Sequence, residues 1–162
     1  FSAVNKCAGN EYLIFYQFCD LCFNVLMNTD CLFCKIVAGE IPAEKIYEDE
    51  QVLAFLDITP VSNGHILLVP KIHSRNLFDA GDETLASLLP LAKKIATAVK
   101  HAVGAEGVNI HINNEPAAGQ MIFHTHLHII PRFREDGLHL WKGQPYPDGE
   151  MQTIASKIKT AL

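Results

Sequence analysis

The sequence lacks an excess of positive charge. Of its 162 residues, 13 are Lys or Arg and 18 are Asp or Glu, so the formal net charge at pH 7 is -5. Proteins that hold a nucleic-acid backbone or an anionic membrane through their overall field carry the opposite sign. We therefore expect no nucleic acid and no membrane among the partners, and we expect local groups to bind any phosphate compound.

Long apolar runs are also missing. The most apolar stretch, residues 12–26, is interrupted by polar residues and is shorter than the about 20 apolar residues that span a bilayer. Lys6 precedes this stretch as in a signal peptide, but no small-residue cleavage site follows it. A degenerate signal or anchor is one interpretation. We predict instead that residues 1–26 are an extension outside the fold and that residues 27–162 form the domain.

What is present suits one folded α+β domain, since 49% of the residues are hydrophobic. Apolar runs and alternation predict five strands, near residues 45–47 and over 52–56, 65–69, 108–112 and 121–130. Helices are predicted over 31–38, from Asp82 towards Gly104, and over 151–162 behind Asp148. Pro90 predicts a kink or a new helix start near Leu89. Because the strands follow one another as in hairpins, the sheet should be antiparallel.

Three of the eight histidines stand at alternate positions, as His124, His126 and His128. On a strand, alternate side chains share one face, so we expect the three imidazoles to point the same way. One interpretation is a metal site, and a second is a nucleophile with supporting groups. The third is chance clustering on a solvated strand, which the apolar residues 129–131 disfavour.

This stretch resembles the signature of the histidine triad (HIT) family, His-x-His-x-His followed by two apolar residues. Other blocks that resemble the family stand in its order at residues 31–36, 40–42, 54–58, 65–71 and 119–120. The resemblance implies a HIT-like fold with a five-stranded antiparallel sheet, and a homodimer whose sheets join into ten strands. It also implies a nucleotide hydrolase or transferase acting on the α-phosphate of AMP-X compounds, such as nucleoside phosphoramidates, adenylated amines or dinucleoside polyphosphates. The expected ligand is therefore a purine nucleotide.

The resemblance further assigns roles to single residues. His126 would attack phosphorus and form a nucleotidyl-histidine, which requires an acceptor to hold the proton on its other ring nitrogen. His128 and Gln120 would contact the nonbridging phosphate oxygens, and Asn113 would help to stabilise their charge. His65 is implied as a further histidine behind the triad. The implied substrate-binding residues are Asp57 for the ribose hydroxyls, Gly119 beside Gln120, and Leu32, Phe33, Phe55 and Ile58 for the purine.

Some of these positions have a second interpretation. Asp57 could instead form a turn ahead of Pro60, and the four apolar residues could equally belong to the core. Met121 stands where relatives often have Ser or Thr, a hydroxyl that can assist the leaving group. This departure leaves substrate choice and leaving-group protonation open.

Cys31 and Cys34 have the spacing of a thiolate pair. The resemblance implies that they bind one structural zinc together with His73 and His124, a closed tetrahedral set that leaves His126 out of metal binding. A reduced buried pair, a redox pair and a four-cysteine ribbon with Cys19 and Cys22 are the alternatives. Thiols without a convincing signal peptide predict a cytoplasmic protein.

Two other functions compete with the enzyme. A nucleotide-binding regulatory or scaffold protein would keep the pocket and have negligible turnover. A zinc-dependent hydrolase would use all three histidines of the triad as ligands. The intact triad favours the nucleotide hydrolase over the scaffold.

Overall fold

A computed structural model describes residues 30–139 and 141–162 of the chain. Its elements are α1 (Leu32–Val37), β1 (Lys45–Glu48), β2 (Val52–Leu56), β3 (Ile66–Pro70), α2 (Asp82–Ala102), β4 (Gly107–His111), β5 (Leu127–Arg132) and α3 (Glu150–Ala161), with a 3-10 turn at Pro116–Ala118. These elements confirm the predicted α+β class. The predicted extension over residues 1–26 and the domain start at Met27 lie outside the described residues and stay predictions.

The five strands form one antiparallel sheet in the order β1-β2-β3-β5-β4. β2 and β3 pair along their whole length, from Val52 opposite Pro70 to Leu56 opposite Ile66. β5 lies between β3 and β4, and His128 stands opposite His111 of β4. Residues directly opposite in an antiparallel pair project their side chains to the same face. The register therefore places these two histidines side by side.

Alternation along β2 and β3 separates two cores on the two faces of the sheet. One face packs against α2, whose apolar stripe at spacings of three and four is buried. The buried residues of this core are Val52, Ala54, Ile66, Leu68, Leu88, Ala92, Ile95, Val99, Leu127 and Ile129. The opposite face packs against α1, and its buried residues are Cys31, Phe33, Cys34, Ile36, Val37, Leu53, Phe55, Leu67 and Val69. The thiolate pair is thus part of the core beneath α1.

The long helix α2 runs without a break from Asp82 to Ala102, with Pro90 inside it. Of the two outcomes predicted at Pro90, a kink or a new helix start near Leu89, the new start is therefore wrong. Pro90 and Ala86 are both exposed, so the carbonyl that loses its backbone partner faces water. Leu88 and Ala92 on either side of the proline are buried in the same core, and this shared packing keeps the two halves in one helix.

Strand β5 begins at Leu127 instead of Met121. Only His128 of the triad lies on the strand, so the prediction that alternation along a strand aligns the three histidines is wrong for His124 and His126. Tertiary bonds explain the difference: the backbone N–H of Thr125 donates to the carbonyl of Ser74 at 2.7 Å instead of joining a ladder. Within the described residues, no helix combines the length and apolarity needed to cross a membrane.

Candidate active site and metal centre

The segment that precedes β5 is held from both sides in the core. His124, Thr125 and His126 are all buried. The hydroxyl of Thr125 lies 2.7 Å from that of Ser74, and one of the two donates a hydrogen bond to the other. The segment is thereby fixed to the loop after β3, with the residues on either side of Thr125 facing different surroundings.

His126 has one ring nitrogen committed and one available. Its Nδ1 lies 2.6 Å from the carbonyl oxygen of His124, and a carbonyl can only accept, so Nδ1 carries the proton. Nε2 then carries the lone pair. Burial lowers the pKa of His126, which keeps the imidazole neutral near pH 7. This arrangement meets the requirement that the predicted nucleophilic role places on the ring, a second nitrogen held by an acceptor.

His128, on β5, is joined to His65 and through it to Asp57. Nδ1 of His128 lies 2.9 Å from Nε2 of His65, and Nδ1 of His65 lies 3.3 Å from Oδ2 of Asp57. The latter contact is an ion-pair distance without hydrogen-bond geometry, so Nδ1 of His65 is the buried side-chain nitrogen that lacks a hydrogen bond in the described chain. A proton on that Nδ1 suits the carboxylate, whereas a lone pair there would face negative charge. His65 then accepts at Nε2, and His128 donates from Nδ1.

The neighbouring histidines keep His128 uncharged. Burial, followed by the proximity of His126, His111 and His65, lowers the pKa of His128 to about 3. Burial also lowers the pKa of His65, although Asp57 acts in the opposite direction. The pocket is therefore a group of neutral imidazoles, and an anion that enters it would favour their protonation.

His111 was missed by the sequence reasoning. It lies on β4, and its ring stacks on that of His128 with centroids 4.8 Å apart and planes 27° apart. Along the chain it alternates with apolar residues in the way of a solvated strand face, so it gives no local signal. Only the long-range pairing of β4 with β5 brings it to the site.

The loop between β4 and β5 carries the predicted residues Asn113, Gly119 and Gln120 and is called the phosphate loop; its own polar groups hold it together. Gln120 is buried; its Nε2 donates to the carbonyls of Arg75 and Ile122, and its Oε1 accepts the N–H of Glu115. Both donors of this amide therefore already have partners. Glu115, at φ 70°, is held by Arg75 through two bonds of 2.9 and 2.7 Å. Together these contacts fix the loop between β4 and β5.

Asn113 and Gly119 meet within that loop. Nδ2 of Asn113 lies 3.4 Å from the carbonyl of Gly119. Gly119 has φ +85°, a conformation that side chains with a Cβ rarely adopt. The glycine thus ends the 3-10 turn and leads the chain into Gln120.

The side chain of Asp57 forms a turn with the backbone of the loop that follows β2. Its Oδ1 accepts the backbone N–H of Thr59 at 2.9 Å and lies near the Thr59 hydroxyl. This bond is the Asx-turn expected as the alternative to ribose binding. Oδ2 faces His65, so the carboxylate also belongs to the histidine group.

The structure divides the four predicted purine-slot residues into two pairs. Phe33 and Phe55 are buried and meet edge to face with centroids 5.7 Å apart, and Phe33 also lies against His126 at 5.1 Å. Leu32 and Ile58 are exposed, Ile58 at 91%. The phenylalanines therefore support the site from the core, while the two aliphatic side chains are available at the surface.

The four predicted metal ligands converge beneath α1. Sγ of Cys31 is 3.5 Å from Nδ1 of His124, and Sγ of Cys34 is 3.6 Å from it. Nδ1 of His73 lies 3.3 Å from Sγ of Cys34 and 3.2 Å from Nδ1 of His124. Bond lengths of about 2.3 Å to sulfur and about 2.05 Å to nitrogen in a regular tetrahedron require S–N separations of about 3.5 Å and N–N separations of about 3.3 Å. The donor set has the size and chemistry of a closed zinc site.

The ring of His124 is oriented for this role. Its Nε2 lies 2.8 Å from the carbonyl of Pro70, so Nε2 carries the proton, and the lone pair of Nδ1 points into the cluster, where it is available to a metal ion. Burial lowers the pKa of His124 to about 4, so the imidazole stays neutral, as metal binding requires.

The three triad histidines do not share one metal site among the described residues. His124 belongs to the Cys31, Cys34 and His73 cluster, whereas His128 belongs to a second group with Asp57 and His65. His126 is in neither. This division argues against a zinc-dependent hydrolase that uses all three histidines as ligands.

Comparisons with known proteins give a consistent picture. A family model described as HIT domain matches residues 38–135. The chain is 44% identical over 137 residues to "Protein hit" of Bacillus subtilis, which covers 82% of this chain and 94% of that protein. It is 40% identical over 134 residues to the adenosine 5'-monophosphoramidase hnt1 of Schizosaccharomyces pombe, covering 82% and 98% of the two chains.

A further relative is the adenylylsulfatase HINT3 of Arabidopsis thaliana, 44% identical over 112 residues that cover 69% of this chain and 57% of that protein. Among solved structures, SMU.412c of Streptococcus mutans matches with a TM-score of 0.80 at 45% identity, covering 84% and 87% of the two chains. A zinc-bound histidine triad family protein of Mycobacterium smegmatis matches with a TM-score of 0.66 at 39% identity, covering 82% and 98%.

Proposed function

The chain belongs to the HIT domain family, and on that premise we propose that it is a nucleotide hydrolase that cleaves AMP-X compounds at the α-phosphate. The observation that carries the proposal is the bond from Nδ1 of His126 to the carbonyl of His124, which leaves Nε2 as the nucleophile. Relatives named as an adenosine 5'-monophosphoramidase and an adenylylsulfatase act on compounds of this class. Nucleoside phosphoramidates, adenylated amines and dinucleoside polyphosphates are the candidate substrates.

In the first step, Nε2 of His126 attacks the α-phosphorus, and the bond from phosphorus to X breaks. The product is a nucleotidyl-histidine, with the electron pair of the broken bond leaving on X. X then takes a proton. Because Met121 carries no hydroxyl that could supply it, this proton comes from water. In the second step, water attacks phosphorus and the bond from phosphorus to Nε2 breaks. AMP leaves with the oxygen of that water, the released proton passes to solvent, and His126 recovers its neutral form with the proton on Nδ1.

His128 stabilises the negative charge that spreads over the nonbridging phosphate oxygens. Its Nδ1 donates to His65, so its Nε2 faces the ligand side of the ring. An anion bound there favours the imidazolium form, which donates from Nε2. His65 and Asp57 hold the ring from behind. We assign Gln120 the task of holding the phosphate loop, since its donors bond to loop carbonyls.

The nucleoside part has fewer candidate contacts. The exposed side chains of Leu32 and Ile58 offer apolar surface to a purine, while the buried Phe33 and Phe55 support it. Asp57 keeps lone pairs for ribose hydroxyls besides its bond to Thr59. Asn113 and Gly119 border the phosphate loop.

We propose that Cys31, Cys34, His73 and His124 hold one structural zinc. Their separations fit a tetrahedral ion. The metal would join α1 to the loop after β3 and to the triad segment. It takes no part in the chemistry, since His126 lies outside the cluster. Both thiols must stay reduced for this role, which favours the cytoplasm.

The homodimer with a ten-stranded sheet also stays a proposal. β4 is an edge of the sheet, and pairing of two such edges would join the sheets. Size-exclusion chromatography with light scattering decides this, and a monomer at micromolar concentration would contradict it.

A panel of AMP-X compounds with product analysis tests the function. We expect AMP from a fluorogenic adenosine phosphoramidate and, after a rapid acid-free quench, AMP attached through a phosphorus–nitrogen bond to His126. The adduct should be labile in acid and stable in base. His101→Asn, an exposed histidine at the end of α2, is the matched control and should keep full activity. Nucleotide binding without AMP release from any compound would support the regulatory or scaffold protein instead.

A further inference from the structure

His128 is surrounded by three other imidazoles on one face of the sheet. Its ring lies nearly parallel to that of His65, with centroids 5.1 Å and planes 26° apart, and to that of His111, at 4.8 Å and 27°. The edge of His126 meets it at 4.9 Å and 62°. Only His65 among these is joined to it by a hydrogen bond.

The bond to His65 does not fix the His128 ring by itself. It restrains Nδ1 through one contact that can bend, so the ring can still rock about its Cβ–Cγ bond. Such a rotation moves Nε2, the atom that would meet the phosphate. A surface against the face of the ring is needed to stop it.

His111 provides that surface because of the sheet register. It stands directly opposite His128 in the β4–β5 pair, where Cβ atoms are about 4.5–5.5 Å apart. His111 is half-buried, and burial lowers its pKa. It is therefore a neutral ring near pH 7, and aromatic rings at this separation prefer offset stacking.

We propose that His111 is a positioning residue that fixes the plane of the His128 ring and so aims its Nε2 at the substrate phosphate. This inference rests on the proposed function. The role needs an aromatic ring at residue 111 and no proton transfer by it. His111 touches His128 and acts through it.

Three variants of His111 test whether the aromatic ring or its nitrogen atoms are needed. His111→Leu removes the stack and keeps an apolar side chain, His111→Phe restores an aromatic ring without nitrogens, and His111→Gln keeps polarity without a ring. His101→Leu, at an exposed position, controls for the loss of a histidine. All four are compared with the full chain in thermal stability, in kcat and KM for an adenosine phosphoramidate, and in the ¹⁵N NMR signals of His128.

We expect His111→Leu to lower kcat by about two- to tenfold with little change in KM. The NMR spectrum should change from one His128 tautomer, protonated at Nδ1, to a mixture. His111→Phe should restore both the kcat and the single tautomer, and His111→Gln should not.

The proposal is overturned if His111→Leu keeps the parent kcat and tautomer. Recovery by His111→Gln but not by His111→Phe would also overturn it, since a polar or proton-transfer role would then be correct. A loss in His111→Leu that follows a lowered melting temperature and that His111→Phe does not restore would show a merely structural role. If the parent protein turns over no substrate, the proposed function fails, and the tautomer measurement still decides whether His111 positions His128.

Discussion

His124 and His126 stand two positions apart and are both buried, yet the backbone holds them by opposite ring nitrogens. The carbonyl of Pro70 binds Nε2 of His124, which turns its Nδ1 to the thiolates. The carbonyl of His124 binds Nδ1 of His126, which leaves Nε2 for chemistry. The carbonyl that each side chain meets thus orients His124 for its proposed metal-binding role and His126 for its proposed nucleophilic role. The proposed metal centre and the proposed reactive pocket can therefore be tested separately.

His126→Gly should give the largest difference between turnover on one side and nucleotide binding and zinc content on the other. We expect turnover of an adenosine phosphoramidate to be abolished, because the nucleophile is lost. Nucleotide binding and zinc content should stay near those of the parent, since no predicted ligand is removed and the apolar contacts lie elsewhere. Activity, binding and metal are each measured on the same preparation.

The control for His126→Gly is His101→Asn, which should match the parent in all three measurements. A variant that keeps more than about a tenth of the parent rate, a barrier change under about 1.4 kcal/mol, would contradict the covalent mechanism.

The reverse pattern is expected for Cys31→Ser. Zinc content should fall from about one equivalent per chain to below about a tenth, because a closed site loses one of its four ligands. The melting temperature should fall as well, since the proposed ion would join α1 to the triad segment. Structural zinc contributes on the order of 10 kcal/mol in small zinc peptides, and less is expected in a domain with its own core.

Metal analysis of freshly purified, untagged protein is the measurement for Cys31→Ser. His124→Ala should have the same phenotype, whereas His128→Ala should keep its zinc and lose only part of the turnover. Parent protein with less than about a tenth of an equivalent of zinc would favour the reduced thiol pair.

A smaller effect is the loss of folding stability in acid, which the histidines of the pocket should cause. The pKa of His128 is lowered to about 3 in the folded protein, whereas an unfolded histidine has a pKa of about 6.5. The unfolded state therefore binds more protons between these values, and the free energy of unfolding falls as the pH falls below about 6.5. Each histidine that is neutral in the folded state and protonated in the unfolded state adds at most about 1.4 kcal/mol per pH unit to the slope of the unfolding free energy against pH.

Urea unfolding between about pH 7 and about pH 5 measures this slope. His128→Asn should reduce the slope, because one linked group is removed, and His101→Asn should leave it unchanged. Equal slopes for the parent and His128→Asn would show that His128 is not held uncharged in the folded state.

The sequence predicted the fold, and which residues the structure brings together, better than it predicted their geometry. The apolar run at Val52–Leu56 is a strand with the predicted bounds. It is buried on both faces of the sheet, so its continuous apolar sequence marks both of its ends. The alternation from His124 to His128 imitated a strand, and only the bond of Thr125 to Ser74 shows otherwise. His111 was not found because its position beside His128 depends on the pairing of β4 with a strand that follows a long loop.

The smallest expected effect on zinc content and turnover concerns Thr125, which lies between the two histidines. Its hydroxyl shares a buried hydrogen bond of 2.7 Å with Ser74. Thr125→Val should cost about 1–3 kcal/mol of unfolding free energy, because it leaves the Ser74 hydroxyl buried without this partner. Zinc content and turnover should change little and together, since the backbone bond between the two residues remains.

A double-mutant cycle tests whether the pair acts as one contact. Thr125→Val with Ser74→Ala should cost less than the sum of the two single variants, because removing both hydroxyls leaves neither unsatisfied. Urea unfolding of the four proteins supplies the coupling energy. If the costs of the two single variants add up to the cost of the double variant, the hydroxyls act independently. The opposite orientation of His124 and His126 would then depend only on the carbonyls of Pro70 and His124.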